Sequence, residues 1–162
     1  MRFIILAFIT LLSYAIELPK QFSADFNQTI TSDNQNVTYK GKILYNNGNI
    51  VWKYTYPNEK TIWIKDKVYI YEPDLYQVTV TKRDNTTLNE IIKNAKKIKN
   101  HLYESNIKDK KIYFIYDNTL KKLYYTDDVG NKVVINFYNQ TNSVNLDAFK
   151  IKIPKDADFI YR

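Results

Sequence analysis

The side chains that could do covalent chemistry are few. The chain has 162 residues, a single histidine and no cysteine. Disulfides, thiolate metal sites, thiol catalysis and lipid attachment at a lipobox cysteine are therefore excluded. His101 stands near the end of a helical pattern and reads as a solvated residue of a last turn. Asp127 and Asp128 are adjacent carboxylates, but they open Asp127-Asp128-Val129-Gly130-Asn131, which is a hairpin-turn signature rather than an acid–base pair. A metal site needs clustered His, Cys or carboxylate ligands. No such cluster, glycine-rich phosphate loop or Ser/His/Asp arrangement can be assembled. The sequence predicts a protein that is not an enzyme and takes no cofactor or metal.

Two other residue classes carry information. Lys and Arg number 24 against 17 Asp and Glu, a net charge of +7. Phosphate contacts and base stacking would suit a basic, Tyr-rich chain to nucleic acid. The lysines are interspersed with acids, however, and the chain is expected to be exported, so no nucleic acid is predicted. They read as a solvated surface, or as a docking face for an acidic partner or an anionic membrane. The aromatics Trp52, Tyr54 and Tyr56 recur at two-residue spacing on one side of one strand. Packing in an ordinary core is one reading. The other is an apolar hollow for an acyl chain, whose binding is non-directional and proportional to buried area.

Residues 1–15 have a charged tip, an apolar run and a small-x-small ending, the pattern of a secretory signal peptide cleaved after Ala15. The apolar run falls short of the roughly 20 residues a spanning helix needs. Residues 16–162 are then read as one exported domain.

In that domain, period-two alternation dominates. Fifteen tyrosines and only three glycines favour strands. Phe22, Ala24, Phe26 and Gln28 share a face, as do Val37, Tyr39, Gly41, Ile43 and Tyr45. Asn46-Asn47-Gly48-Asn49 reads as a hairpin turn. Ile50, Trp52, Tyr54 and Tyr56 follow, ended by Pro57. Ile62 and Ile64 alternate with Trp63, Val68 to Tyr71 is apolar on both faces, and Val78 and Val80 alternate with threonines. The period then changes. Leu88, Ile91, Ile92, Ala95, Ile98 and Leu102 fall on one face of a helix, opened by a capping box over Thr87 to Glu90. Strands resume after Asp109, and Phe149, Ile151 and Ile153 predict a last one. The expected architecture is one strongly curled antiparallel sheet of ten or eleven strands with a helix inserted in mid-chain. One such helix covers only part of so large a sheet, so the sheet either closes on itself or leaves a hollow.

Several segments resemble the LolA family, the periplasmic carriers of outer-membrane lipoproteins. Phe22-Ser23-Ala24-Asp25-Phe26-Asn27-Gln28 is similar to the family's F-x-A-x-F-x-Q opening. Gly41 followed by Trp52 to Pro57 resembles its G…W-x-x-x-x-P segment. Val68 to Gln77 resembles an apolar strand followed by Y-x-P-x-L-x-Q, and Phe149 to Ala157 its F-x-x-x-P-x-G/D-A ending. The resemblance spans nearly the whole exported chain in order. It implies a mainly β fold, an incompletely closed antiparallel barrel of about eleven strands with a helical lid over an apolar cavity. It implies a periplasmic monomer that takes lipoprotein acyl chains from an inner-membrane ABC release complex and hands them to an outer-membrane acceptor. The cavity residues expected on this basis, together with the alternation, are Phe26, Ile43, Ile50, Trp52, Tyr54, Tyr56, Ile62 and Ile64. Leu88 to Leu102 matches the lid helix. A lipoprotein-sensing regulatory module of the RseB type and a structural envelope protein are the alternatives. Two features depart from the pattern. The family often has an Arg-Pro pair that latches the lid, and here that place is Asn47-Gly48. The helix preceding F-x-A-x-F is also short.

Overall fold

The computed structural model describes residues 16–84 and 87–162; the expected signal peptide, residues 1–15, lies outside the described residues. Alternating apolar positions build twelve strands: β1 (Gln21–Ser32), β2 (Gln35–Asn46), β3 (Asn49–Tyr56), β4 (Lys60–Ile64), β5 (Lys67–Glu72), β6 (Gln77–Lys82), β7 (Lys96–Lys99), β8 (Leu102–Ile107), β9 (Lys110–Asp117), β10 (Thr119–Thr126), β11 (Lys132–Thr141) and β12 (Asp158–Tyr161). One helix, α1 (Leu88–Lys93), stands between β6 and β7. The strands form a single sheet in the order β12-β6-β5-β4-β3-β2-β1-β11-β10-β9-β8-β7. Every pairing is antiparallel except β12 on β6. The end strands β12 and β7 do not meet, so the sheet stays open.

The sheet curls. Trp52 on β3 and Phe137 on β11 stand three strands apart, yet their ring centroids are 6.2 Å apart. On a flat sheet that separation is about 14 Å at the usual strand spacing. Aromatic side chains therefore converge on the inner face, where Phe22, Ala24, Phe26, Ile43, Tyr45, Phe114 and Leu120 are almost completely buried in one cluster. The outer face is apolar too, on the wing from β2 to β6. Leu44, Val51 and Trp63 pack there against Phe149, with Ile151 and Ile153 alongside. Val78 and Val80 pack against Ala157. The C-terminal segment thus covers the outside, and the indole of Trp63 donates to the Ala148 carbonyl at 3.0 Å.

Three expectations are corrected here. The helix ends at Lys93 instead of reaching Leu102. Continuing it would set Lys93 beside Lys96 and Lys97, and Lys96 beside Lys99, and like charges at these spacings destabilise a helix. The chain instead extends into β7, which pairs with β8 and places Lys96 across from Glu104. The Phe149–Ile153 segment is not a strand. Leu146–Phe149 is a 3₁₀ turn and the residues after it lie extended on the outer face without a ladder. Alternation there reports an extended backbone with one face packed, not strand pairing. The last strand is β12, beyond Pro154, and β7 and β8, ahead of Asp109 where strands were expected to resume, bring the count to twelve.

Gly41 sits where β2 crosses under the aromatic cluster. A Cβ there would lie 2.0 Å from the Lys53 carbonyl oxygen and 2.9 Å from the Phe26 ring. Backbone on one side and a buried ring on the other cannot both yield. Gly41→Ala is expected to lower stability by about 1–3 kcal/mol. Urea unfolding checks this, and an unchanged midpoint would mean that the bulge beside Gly41 adapts without strain.

Candidate functional site

The inner face is a set of cross-strand rows. One runs Ala24, Ile43, Trp52, Ile62, Ile70 from β1 to β5 in direct register. The adjacent one runs Phe22, Tyr45, Ile50, Ile64, Val68. Burial falls along both. Ala24, Ile43, Phe22, Tyr45 and Ile50 are buried, whereas Trp52, Ile62, Ile64, Val68 and Ile70 are only half-buried. Apolar side chains that point inward yet are only partly buried mark a wall that the protein covers incompletely. Phe26 anchors the inner edge of that wall, edge-on to Trp52 at 4.9 Å and to Tyr54 at 5.2 Å.

The helix covers the other end. Its start is fixed by the capping box foreseen in the sequence: Glu90 N–H donates to the Thr87 hydroxyl and Thr87 N–H to the Glu90 carboxylate. Ile92 is buried, and Leu88, Ile91 and Ala95 are half-buried against the inner cluster. The buried Tyr45 hydroxyl donates to Asn89 Oδ1 at 2.8 Å, tying α1 to β2. A second tie lies at the rim. Arg83 donates from its guanidinium to the Gly48 carbonyl at 2.8 Å and to the Lys65 carbonyl at 2.7 Å. The place expected to lack a latching arginine thus receives one from beyond β6, joined to two hairpin turns rather than to the helix. Asn47 and Gly48 both have positive φ, as a tight hairpin turn requires.

Tyr54 closes the opposite end of the wall. Its hydroxyl donates to Gln28 Oε1 at 3.0 Å, and the Lys60 ammonium lies over its ring at 4.9 Å. Burial, and then the neighbouring phenols of Tyr125 and Tyr39, push its pKa up to about 12. Beside it a cavity of about 270 Å³ opens between Tyr39, Tyr54, Pro57 and Leu75, with Glu59, Glu72 and Asp74 also lining it. A hollow of about 650 Å³ at the β10–β11 turn is lined by lysines, aspartates and the stacked rings of Tyr113 and Tyr124. Tyr125, Val133 and Val134 stand among those charges.

The structure brings Phe26, Ile43, Ile50, Trp52, Tyr54, Ile62 and Ile64 to the inner face, with Leu88, Ile91, Ile92 and Ala95 over it. Three expected residues fall elsewhere. Tyr56 pairs with the outward-pointing Lys40, because a bulge inserts Thr55 between the Gly41–Tyr54 and Lys40–Tyr56 pairs. One extra residue inverts the alternation, and Tyr56 ends 53% exposed with the Lys40 ammonium over its ring. Ile98 is 51% exposed on β7, and Leu102 begins β8. Tyr45, Asn89 and Arg83 were not foreseen as site residues; their contacts span 18 to 44 positions and leave no local pattern. His101 lies 3.6 Å from the Asp117 carboxylate in an exposed turn, and Asp127 accepts from the N–H groups of Val129 and Asn131, a turn role.

The family model for the outer-membrane lipoprotein carrier protein LolA matches residues 18–102. A Campylobacter jejuni protein named outer-membrane lipoprotein carrier protein is 34% identical over 153 residues, covering 86% of this chain and 85% of its own. The chain belongs to the LolA family. A Wolinella succinogenes protein of the same name is 33% identical, covering 82% of this chain and 81% of its own. Among solved structures, an uncharacterized conserved protein from Thermus thermophilus covers 90% of this chain and 92% of its own, with a TM-score of 0.58 at 10% identity, a likeness of fold alone. The matched LolA segment contains the wall from β1 to β5, Arg83 and α1.

The Tyr54 phenol gives a pH signature. Its pKa is raised in the fold, so its contribution to stability is full below the ordinary value near 10 and is lost as pH rises through about 12. Alkaline unfolding should be steeper across that window in the wild type than in Tyr54→Phe, and tyrosinate absorbance should lose one phenol titrating near the top of the curve. Superimposable curves would mean that Tyr54 is solvated.

Proposed function

We propose that this protein is a periplasmic carrier that holds the acyl chains of outer-membrane lipoproteins against the inner face of its sheet. The observation that carries the reading is the incompletely buried apolar wall of Trp52, Ile62, Ile64, Val68 and Ile70, facing inward in a LolA family member. Each methylene taken from water onto such a wall is worth about 0.8 kcal/mol, so part of one chain holds cargo firmly. Leu88 and Ile91 of α1, with Ala95 just beyond it, compete for the neighbouring apolar surface. Cargo must displace them, which keeps net affinity low enough for handover. No bond is made or broken, and the role requires no catalytic group or cofactor.

Residues 1–15 direct export in this reading and are removed after Ala15. Cargo arrives from an inner-membrane ABC release complex and leaves to an outer-membrane acceptor, with residues 16–162 acting as a monomer between them.

Acylated protein should co-purify with the chain from a periplasmic fraction and be visible by mass spectrometry. Depletion should strand lipoproteins in the inner membrane. Ile62→Asp and Trp52→Asp place a charge on the wall and are expected to reduce binding of an apolar dye at least tenfold. Ile62 lies outside the inner cluster, so its variant should keep the wild-type melting profile. No bound acyl group and unaltered lipoprotein sorting would overturn the carrier reading.

A further inference from the structure

The chain leaving α1 is unlike any other exposed stretch of the molecule. Lys93, Lys96, Lys97 and Lys99 fall within seven residues and surround Ile98. All four lysines are exposed, and no residue of β7 is buried on either face. Core packing therefore does not explain why this strand reads Lys-Lys-Ile-Lys. Among the described residues none of these four ammonium groups has a carboxylate within ion-pair distance. The nearest acids are otherwise engaged. Glu90 accepts from the Thr87 N–H, and Glu104, across from Lys96, lies 3.9 Å from Lys111 instead.

β7 is the last strand of the sheet, and lysines on an edge discourage pairing with other chains. That need does not account for Lys93, which belongs to α1, nor for an isoleucine left 51% exposed between cations. We propose that the Lys93–Lys99 segment docks on a membrane surface rich in anionic phospholipid headgroups. Cations around a single apolar residue suit the headgroup–acyl boundary, where charge attracts and the apolar side chain inserts. A protein partner would instead be expected to find aromatic or arginine anchors in a shaped pocket, and this segment has neither. Its position matters, since it continues directly from the helix over the apolar wall. Docking here sets that helix against the surface from which acyl chains come. Only this last step rests on the carrier reading; surface binding itself does not.

The test is co-sedimentation of the purified protein with vesicles. One set contains equal phosphatidylglycerol and phosphatidylethanolamine, the other phosphatidylcholine alone. The wild type should bind the anionic vesicles, release in high salt and ignore the neutral ones. Each lysine near such a surface contributes roughly a fivefold gain, so replacing all four by Gln should lower partitioning at least tenfold. Ile98→Ser should weaken binding while preserving its salt dependence. Because Ile98 is exposed, Ile98→Ser should keep the wild-type circular dichroism, and both variants should bind an apolar dye in solution as the wild type does, which separates this outcome from failure of the acyl site. A wild type that ignores anionic vesicles, or a four-lysine variant that binds them equally, would overturn the proposal. Binding of an acidic protein without vesicle binding would do the same.

Discussion

A single sheet with apolar residues on both faces and, among the described residues, one short α-helix must find other ways to keep those faces from water. This constraint organises the molecule. The outside of the β2–β6 wing is closed by the C-terminal segment, with Phe149 against Leu44, Val51 and Trp63. The inside is closed by curling, which brings β3 and β11 side chains together over Phe26. Curling fills the centre but not the β3–β5 wing. Six residues of helix are too few to cover what remains. The inner face of that wing is thus left only partly covered.

The helix is short because the chain beyond it pairs with β8 as β7, and its brevity has a functional side. A helix through Leu102 would have laid Ile98 and Leu102 beside Ile91 and Ala95. Ending at Lys93 leaves a smaller lid, held by one buried hydroxyl from Tyr45 and by few apolar side chains. Local openings draw on segments with little burial, and α1 has only Ile92 fully buried. Arg83 ties two hairpin turns of the wall together instead of binding the helix.

Much of this was legible from residues alone. The Phe22–Phe26 alternation, the Asn47-Gly48 hairpin and the opposed faces of Ile62 and Trp63 follow from period and turn chemistry, and the structure realises each. The errors have physical causes. At Tyr56 a bulge inverted the alternation, which no period-two pattern reveals. From Lys93 onward the apolar spacing suited a helix, but the chain took up ladder pairing with β8 instead. At Phe149–Ile153 alternation marked an extended segment that packs face-on. Tyr45–Asn89 and the Arg83 contacts depend on how distant turns meet, which the sheet decides as a whole.

The central claim is that acyl chains meet the inner face of the wing and not the outer one. The chain's two tryptophans report on the two sides: Trp52 is half-buried on the inner face, and Trp63 lies under the C-terminal segment on the outer face. Brominated fatty acids quench indole fluorescence only on contact. With Trp63 replaced by Phe, the remaining Trp52 should be quenched on binding. With Trp52 replaced by Phe, Trp63 should keep its emission under the same conditions. Quenching of Trp63, or undiminished Trp52 fluorescence with ligand bound, would contradict the account.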